Sequence, residues 1–283
     1  MINKLLKLYR NHLLLRIFWW FAVIIPGVPF ILFSVGFQLY AHWPRDYSDI
    51  TAVTINKNTQ YLSLSAHGVK DNPESWSNEL QNIIKHTNNQ QLINLEKSQV
   101  SLGWKPYSEN ALTCSVTGKN IGEKLANQIL LLPKLQAVHL IGHSCGSFVI
   151  YGICKQLKKH NSTIKIQTTY LDPVSIYSGV FWRYGVDKFG NCADFSDSYI
   201  DTKDGVPGSN ENLSNAYTFD VTDIRLEKKL SYAPHAWPTY FYLNAYKNNE
   251  VPIYFNQQGS LDKRFVMDKL VKWQTLIEER LNK

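Results

Sequence analysis

The residues Gly142-His143-Ser144-Cys145-Gly146 fit the pattern G-x-S-x-G. They follow the apolar run Ala137 to Ile141 and precede a helix-like stretch from about Gly146 to Lys159, which is the strand-turn-helix setting a nucleophile elbow requires. Glycine on both sides lets the backbone turn sharply without a Cβ clash, and the helix N-terminus beneath Ser144 favours negative charge developing there. A serine in such a setting is suited to nucleophilic acyl transfer, provided a base removes its proton.

In the chain order serine, acid, histidine, the base must follow Ser144. Of eight histidines only His160 and His235 do so. His160 closes QLKKH on what reads as the solvated end of the helix after the elbow, which leaves His235, in the loop-like SYAPHAWPTYFY. The others suit structural roles: His12 and His42 flank an apolar segment, His86 ends a helix, His139 sits on a strand, and His143 is the variable residue of the elbow. Ten carboxylates separate Ser144 from His235. Asp172 is favoured as the orienting acid because it follows the strand-like IKIQTTYL and precedes Pro173; Asp220 and Asp223, at the end of a later strand, are the alternatives. The oxyanion of a tetrahedral intermediate needs two backbone N–H donors. Cys145, directly after the serine, would supply one, and Val69, in Ala66-His67-Gly68-Val69 after an earlier strand, the other. Such chemistry needs no metal or organic cofactor. Cys114, Cys145, Cys154 and Cys192 contain no C-x-x-C pair, so neither a zinc site nor a dense disulfide framework is expected.

Strand-like and helix-like patterns alternate from Asp46 onward, which argues for an α/β domain. Strands are expected at Tyr61 to Ala66, Val100 to Trp104, Ala137 to Ile141, Ile164 to Leu171 and Tyr217 to Val221. Helices are expected from Asn72-Pro73 through about His86, around Gly122 to Leu132, after the elbow, and from Asp262 to Asn282, where Val266, Leu270, Trp273, Ile277 and Leu281 recur at spacings of 3 and 4. The polar stretch 187–211 reads as loop, and the wider segment 175–215, rich in aromatics and turns, has a lid or acyl-chain wall as one use.

Ile17 to Trp43 holds no Asp, Glu, Lys or Arg over 27 residues, more than the ~20 that cross a bilayer as a helix. Pro26, Gly27 and Pro29 should kink it. Residues 1–16 carry Lys4, Lys7, Arg10 and Arg16 with no acid, so of the net charge of +7 only +3 belongs to the remainder, 26 basic against 23 acidic residues. By the positive-inside bias the N-terminus is cytoplasmic and the rest extracytoplasmic. Ser34-Val35-Gly36 offers a cleavage-like site, and secretion after signal cleavage is the alternative. The expected organisation is a short cytoplasmic N-terminus and transmembrane anchor over 1–43, then a catalytic domain over 44–283. Short basic runs such as Lys158-Lys159 and Lys228-Lys229 make no nucleic-acid surface.

The series SAHGVKDNPESW, VSLGW, VHLIGHSCGSFV, YLDP and HAWPTYFY resembles the pancreatic-type lipase family of α/β-hydrolases, which includes triacylglycerol lipases and phospholipases A1. The resemblance covers roughly residues 60 to 243. It implies an α/β-hydrolase fold, a mostly parallel central sheet flanked by helices, with Ser144 as nucleophile, Asp172 as acid in preference to Asp223, and His235 as base. It implies a carboxylic ester or lipid as substrate. Cys145 stands where the family usually has leucine, and Gly103 precedes Trp104 where an aspartate is common; both departures bear on substrate choice. The competing expectation is an inactive, membrane-anchored binding protein on the same fold.

Overall fold

The computed structural model describes residues 13–51, 53–86, 94–161, 163–248, 250–251, 267 and 269–273. The chain divides into two compact units, Met1–Arg45 and Asp46–Lys283. In the first, helix α1 (Leu13–Trp19), a π-helical turn (Trp20–Ile24) and helix α2 (Ile25–Ala41) run on from one another. The apolar helix Arg16–Ala41, 26 residues, is long enough to cross a membrane. Pro29 lies inside α2 and Pro26 in its first turn. Prolines cannot donate to the preceding turn, and the π-turn falls directly ahead of them. Most apolar side chains of this helix are bare, with Phe30 and Phe33 70% and 74% exposed, while Ala41 at its end is buried.

In the second unit, α3 (Ser48–Thr51) precedes β1 (Tyr61–Ala66). A 3-10 turn (Pro73–Ser75), α4 (Ser77–His86) and β2 (Lys97–Leu102) follow. Then come α5 (Cys114–Ile129), β3 (Ala137–His143), α6 (Gly146–His160) and β4 (Lys165–Leu171). The chain continues through α7 (Tyr184–Lys188), β5 (Phe195–Ile200), β6 (Tyr217–Asp220), α8 (Thr222–Glu227), α9 (Trp237–Lys247) and β7 (Leu270–Lys272). The seven strands form one sheet in the order β2-β1-β3-β4-β5-β6-β7, and every pairing is parallel.

Both faces of the sheet are covered, as an all-parallel sheet requires. On one side Leu62, Leu64, Val138 and Leu140 pack with Ile121 and Leu125 of α5 and Phe148, Val149 and Ile153 of α6. On the other, Tyr61, Ile141, Tyr199 and Phe219 pack with Leu80 and Ile84 of α4 and with Phe241 and Tyr242 of α9. Strand order reverses between β1 and β3: β2 lies to one side of β1, while β3 and all later strands lie to the other. The carboxyl ends of the two strands at such a reversal bound the crevice where open α/β sheets bind ligands.

Several expectations need correcting. β5 runs through the stretch read as loop or lid. FSDSYI lacks an apolar signature, yet all six residues are buried, because Ser196 and Asp197 accept hydrogen bonds from Thr168 and Thr169 of β4, at 2.9 and 2.6 Å. α5 begins eight residues before the expected Gly122. That glycine serves close packing inside the helix: a Cβ there would lie 2.0 Å from the Val149 carbonyl of α6. Residues 72–86 form a 3-10 turn and a separate helix on either side of buried Trp76. HAWPTYFY opens α9, with Pro238 in its first turn, where proline is tolerated. Of the expected helix 262–282, Leu270–Lys272 is instead extended and pairs with β6. This covers an otherwise open sheet edge and buries Trp273 beside Tyr199, Phe219 and Phe241. Val266, Ile277 and Leu281 lie outside the described residues. The four cysteines form two disulfides, Cys114–Cys145 and Cys154–Cys192, which sequence spacing does not reveal because α5, the elbow and the segment after α7 meet only in the fold.

Candidate active site

Ser144 joins β3 to α6 with φ +54°. A non-glycine residue in this left-handed region is sterically disfavoured, at a cost on the order of 1–3 kcal/mol, and persists where its surroundings enforce it. Here the Ser144 N–H donates to the Leu171 carbonyl at 3.1 Å, and the Ser144 carbonyl accepts from Ser147 N–H at 3.1 Å. The flanking glycines are required by contact: a Cβ on Gly146 would sit 2.2 Å from the Ala66 carbonyl oxygen, and one on Gly142 2.8 Å from that of Gly146. The elbow therefore presses onto the end of β1.

His235 stands just ahead of α9. Ser144 Oγ lies 2.8 Å from His235 Nε2. With the serine hydroxyl donating, the imidazole proton belongs on Nδ1, which faces two carboxylates: Asp204 Oδ2 at 2.8 Å and Asp172 Oδ2 at 3.3 Å. Asp172 is fully buried at the end of β4. Its N–H donates to the Tyr199 carbonyl at 2.8 Å, and its Oδ1 accepts from Asn210 N–H at 3.1 Å. Asp204, in the loop after β5, accepts from Val206 N–H at 3.2 Å and from the Ser209 hydroxyl. Ser144, Asp172 and His235 thus lie together, and Asp204 joins them. Asp220 instead accepts from Thr222 N–H at the start of α8, at 3.0 Å, and Asp223 pairs with Lys272 at 2.7 Å. His160 is exposed at the end of α6.

His143 is more than a variable elbow residue. Its Nε2–H donates to the His235 carbonyl at 2.9 Å, and the two rings lie 5.0 Å apart. Burial, and then the neighbouring His235, push its pKa down to about 3, so it is a neutral donor holding the backbone of His235. Burial also disfavours the charged form of His235, but its hydrogen bonds to Asp172 and Asp204 outweigh this and raise its pKa to about 9. Burial raises Asp172 to about 7. Burial acts in the same direction on Asp204, yet the hydrogen bonds from His235 and Ser209 prevail and hold it at about 2.

The segment after β1 passes directly over the serine. A Cβ on Gly68 would lie 2.8 Å from Ser144 Cβ and 3.3 Å from its Oγ. Trp104 Nε1–H fixes this exit by donating to the His67 carbonyl at 2.9 Å. Among the described residues the Val69 and Cys145 N–H groups have no hydrogen-bond acceptor in the protein. The disulfide to Cys114 ties Cys145 to the start of α5.

By spacing, Asp172, Asp204 and His235 could also hold a metal ion, their ligand atoms lying within 4.8 Å of one another. In the structure His235 Nδ1 is engaged by the carboxylates and Nε2 by Ser144. No family model matches the chain, and no curated protein matches it.

Proposed function

We propose that the chain is a membrane-anchored serine hydrolase on an α/β-hydrolase fold that cleaves carboxylic esters, of lipase, phospholipase or esterase type, through an acyl-enzyme. The observation that carries this reading is the contact of Ser144 Oγ with His235 Nε2 at 2.8 Å, on a strand-to-helix elbow with the serine at φ +54°. His235 accepts the serine proton as the hydroxyl attacks the ester carbonyl. The resulting oxyanion is held by the Val69 and Cys145 N–H groups, whose individual loss would cost about 10²- to 10³-fold in rate. His235 then protonates the leaving alkoxide, and water, deprotonated by the same imidazole, releases the acid. The position at the reversal of strand order, where β1 and β3 end, supports a substrate site there. The helix Arg16–Ala41 would serve as an uncleaved anchor, with Lys4, Lys7 and Arg10 on the cytoplasmic side. Two disulfides in the second unit suit an oxidising, extracytoplasmic compartment.

Hydrolysis of a p-nitrophenyl ester series, set against release of fatty acid from phospholipid vesicles, tests the reaction and sorts the substrate class. Wild type should turn over at least one of these substrates, and Ser144→Ala should lose the activity by about 10³-fold or more. Equal rates for the two proteins would remove the proposal.

A further inference from the structure

We propose that Asp204 is a second positioning carboxylate of His235, sharing with Asp172 the task of orienting and charge-balancing the imidazole. This rests on the serine-hydrolase reading of Ser144. An N–H gives one strong hydrogen bond, to the nearer well-placed acceptor, and at His235 Nδ1 that acceptor is Asp204 Oδ2 at 2.8 Å rather than Asp172 Oδ2 at 3.3 Å. The loop that carries Asp204 is built to hold it. Asp204 N–H donates to the Asp201 carbonyl at 2.9 Å, and Asp201 is itself fixed by Arg225 at 2.6 Å. Asn210 links the two acids: its side-chain amide donates to the Asp204 carbonyl at 2.6 Å and its N–H to Asp172 Oδ1 at 3.1 Å. Ser175 N–H, three residues past Asp172, donates to the Gly208 carbonyl at 2.6 Å, joining the two loops again.

The two acids come from the ends of adjacent strands, β4 and β5. Besides these two acids, the titratable group against the His235 ring is His143, at the end of β3, with Asp71 3.9 Å behind it. On α9, which follows the base, Lys247 is at the far end and pairs with Glu79 at 2.6 Å.

The test compares wild type with Asp172→Asn, Asp204→Asn, the double variant, Asp204→Glu and His235→Ala, measuring ester hydrolysis across pH and fluorophosphonate labelling of Ser144. Each single Asn variant should keep activity well above His235→Ala, and the double variant should fall to that level. Asp204→Asn should lose about ten-fold or more in kcat, and its acid limb should move on the order of one unit to lower pH, because one of the charges that favours imidazolium is gone. A merely structural loss would lower kcat without moving the limb, and Asp204→Glu should return the limb towards wild type. Wild-type kcat and an unmoved limb in Asp204→Asn, with Asp172→Asn alone reduced to the His235→Ala level, would overturn the proposal. Should Asp204→Asn not fold, the same limb is read in Asp204→Ser, which removes the carboxylate charge and keeps a polar side chain; there too an unmoved limb would overturn it. If wild type does not label at Ser144, the hydrolase reading itself fails, whereas labelling with no shift sinks only the role of Asp204.

Discussion

At the scale of single residues, the site is a set of constraints on one imidazole. His143 holds its backbone from one side at 2.9 Å, two carboxylates hold Nδ1 from another, and the serine hydroxyl meets Nε2. The carboxylates lift the His235 pKa above the ordinary histidine value of 6.5, to about 9, against the effect of burial. On the proposed hydrolase reading His235 is a general base, which works only when unprotonated, so hydrolysis should rise with pH through the folded-state pKa. The kcat/KM profile should show its acid limb between about 6.5 and about 9, and a limb below pH 6 would contradict the electrostatics described. The sign for stability is the opposite: a raised histidine pKa stabilises the folded protein fully below its unfolded value and loses that contribution as pH climbs through the raised one. Ser144, Asp172 and His235 are legible in the sequence because the elbow pattern and chain order narrow the choices. Asp204 is not, since it is one of ten acids between serine and histidine and lies in a polar loop; its position in the turn just after β5 is visible only once β5 itself is recognised. His143 looks idle in sequence because its partner is a backbone carbonyl 92 residues away.

At the scale of elements, the elbow is held by close packing of backbone on backbone. Gly146 meets the end of β1, and Gly122 of α5 lies against α6 at Val149. Alanine is ordinarily the better helix former by about 1 kcal/mol, but a Cβ on Gly122 would be 2.0 Å from a carbonyl oxygen, so the helices must part. Gly122→Ala should therefore destabilise the protein by about 1–3 kcal/mol net, lowering Tm by several degrees in calorimetry; a Tm equal to or above wild type would show that the pair is not so tightly packed. Strands with continuous apolar character, such as Ala137 to Ile141, are readable from sequence. β5 is not, because its inward groups are hydroxyls and a carboxylate paired across the sheet. β7 and the start of α9 are likewise hidden, since sheet pairing and a first-turn proline override the local pattern.

At the scale of the whole molecule, charge and apolarity are divided between two units. Residues 1–16 hold four basic residues without an acid, the last of them opening the apolar helix Arg16–Ala41, and the remainder carries only +3. On the proposed anchor, orientation at a membrane would account for the four basic residues at the N-terminal end. Removing residues 1–45 should release the protein from the membrane fraction while leaving ester hydrolysis of a soluble substrate within about two-fold of wild type; a truncated protein that still sediments with membranes would place the anchor elsewhere. The sequence makes the apolar segment evident by composition alone. The disulfides it leaves hidden, since pairing across 31 and 38 residues depends on tertiary contact.

The claim on which these scales converge is that Ser144 is an activated nucleophile. Mass spectrometry of the intact, fluorophosphonate-treated protein, followed by peptide mapping, tests it directly. One adduct is expected, on the peptide containing Gly142-His143-Ser144-Cys145-Gly146, and none on Ser144→Ala. An unmodified wild type, or an adduct that persists in Ser144→Ala, would contradict the account.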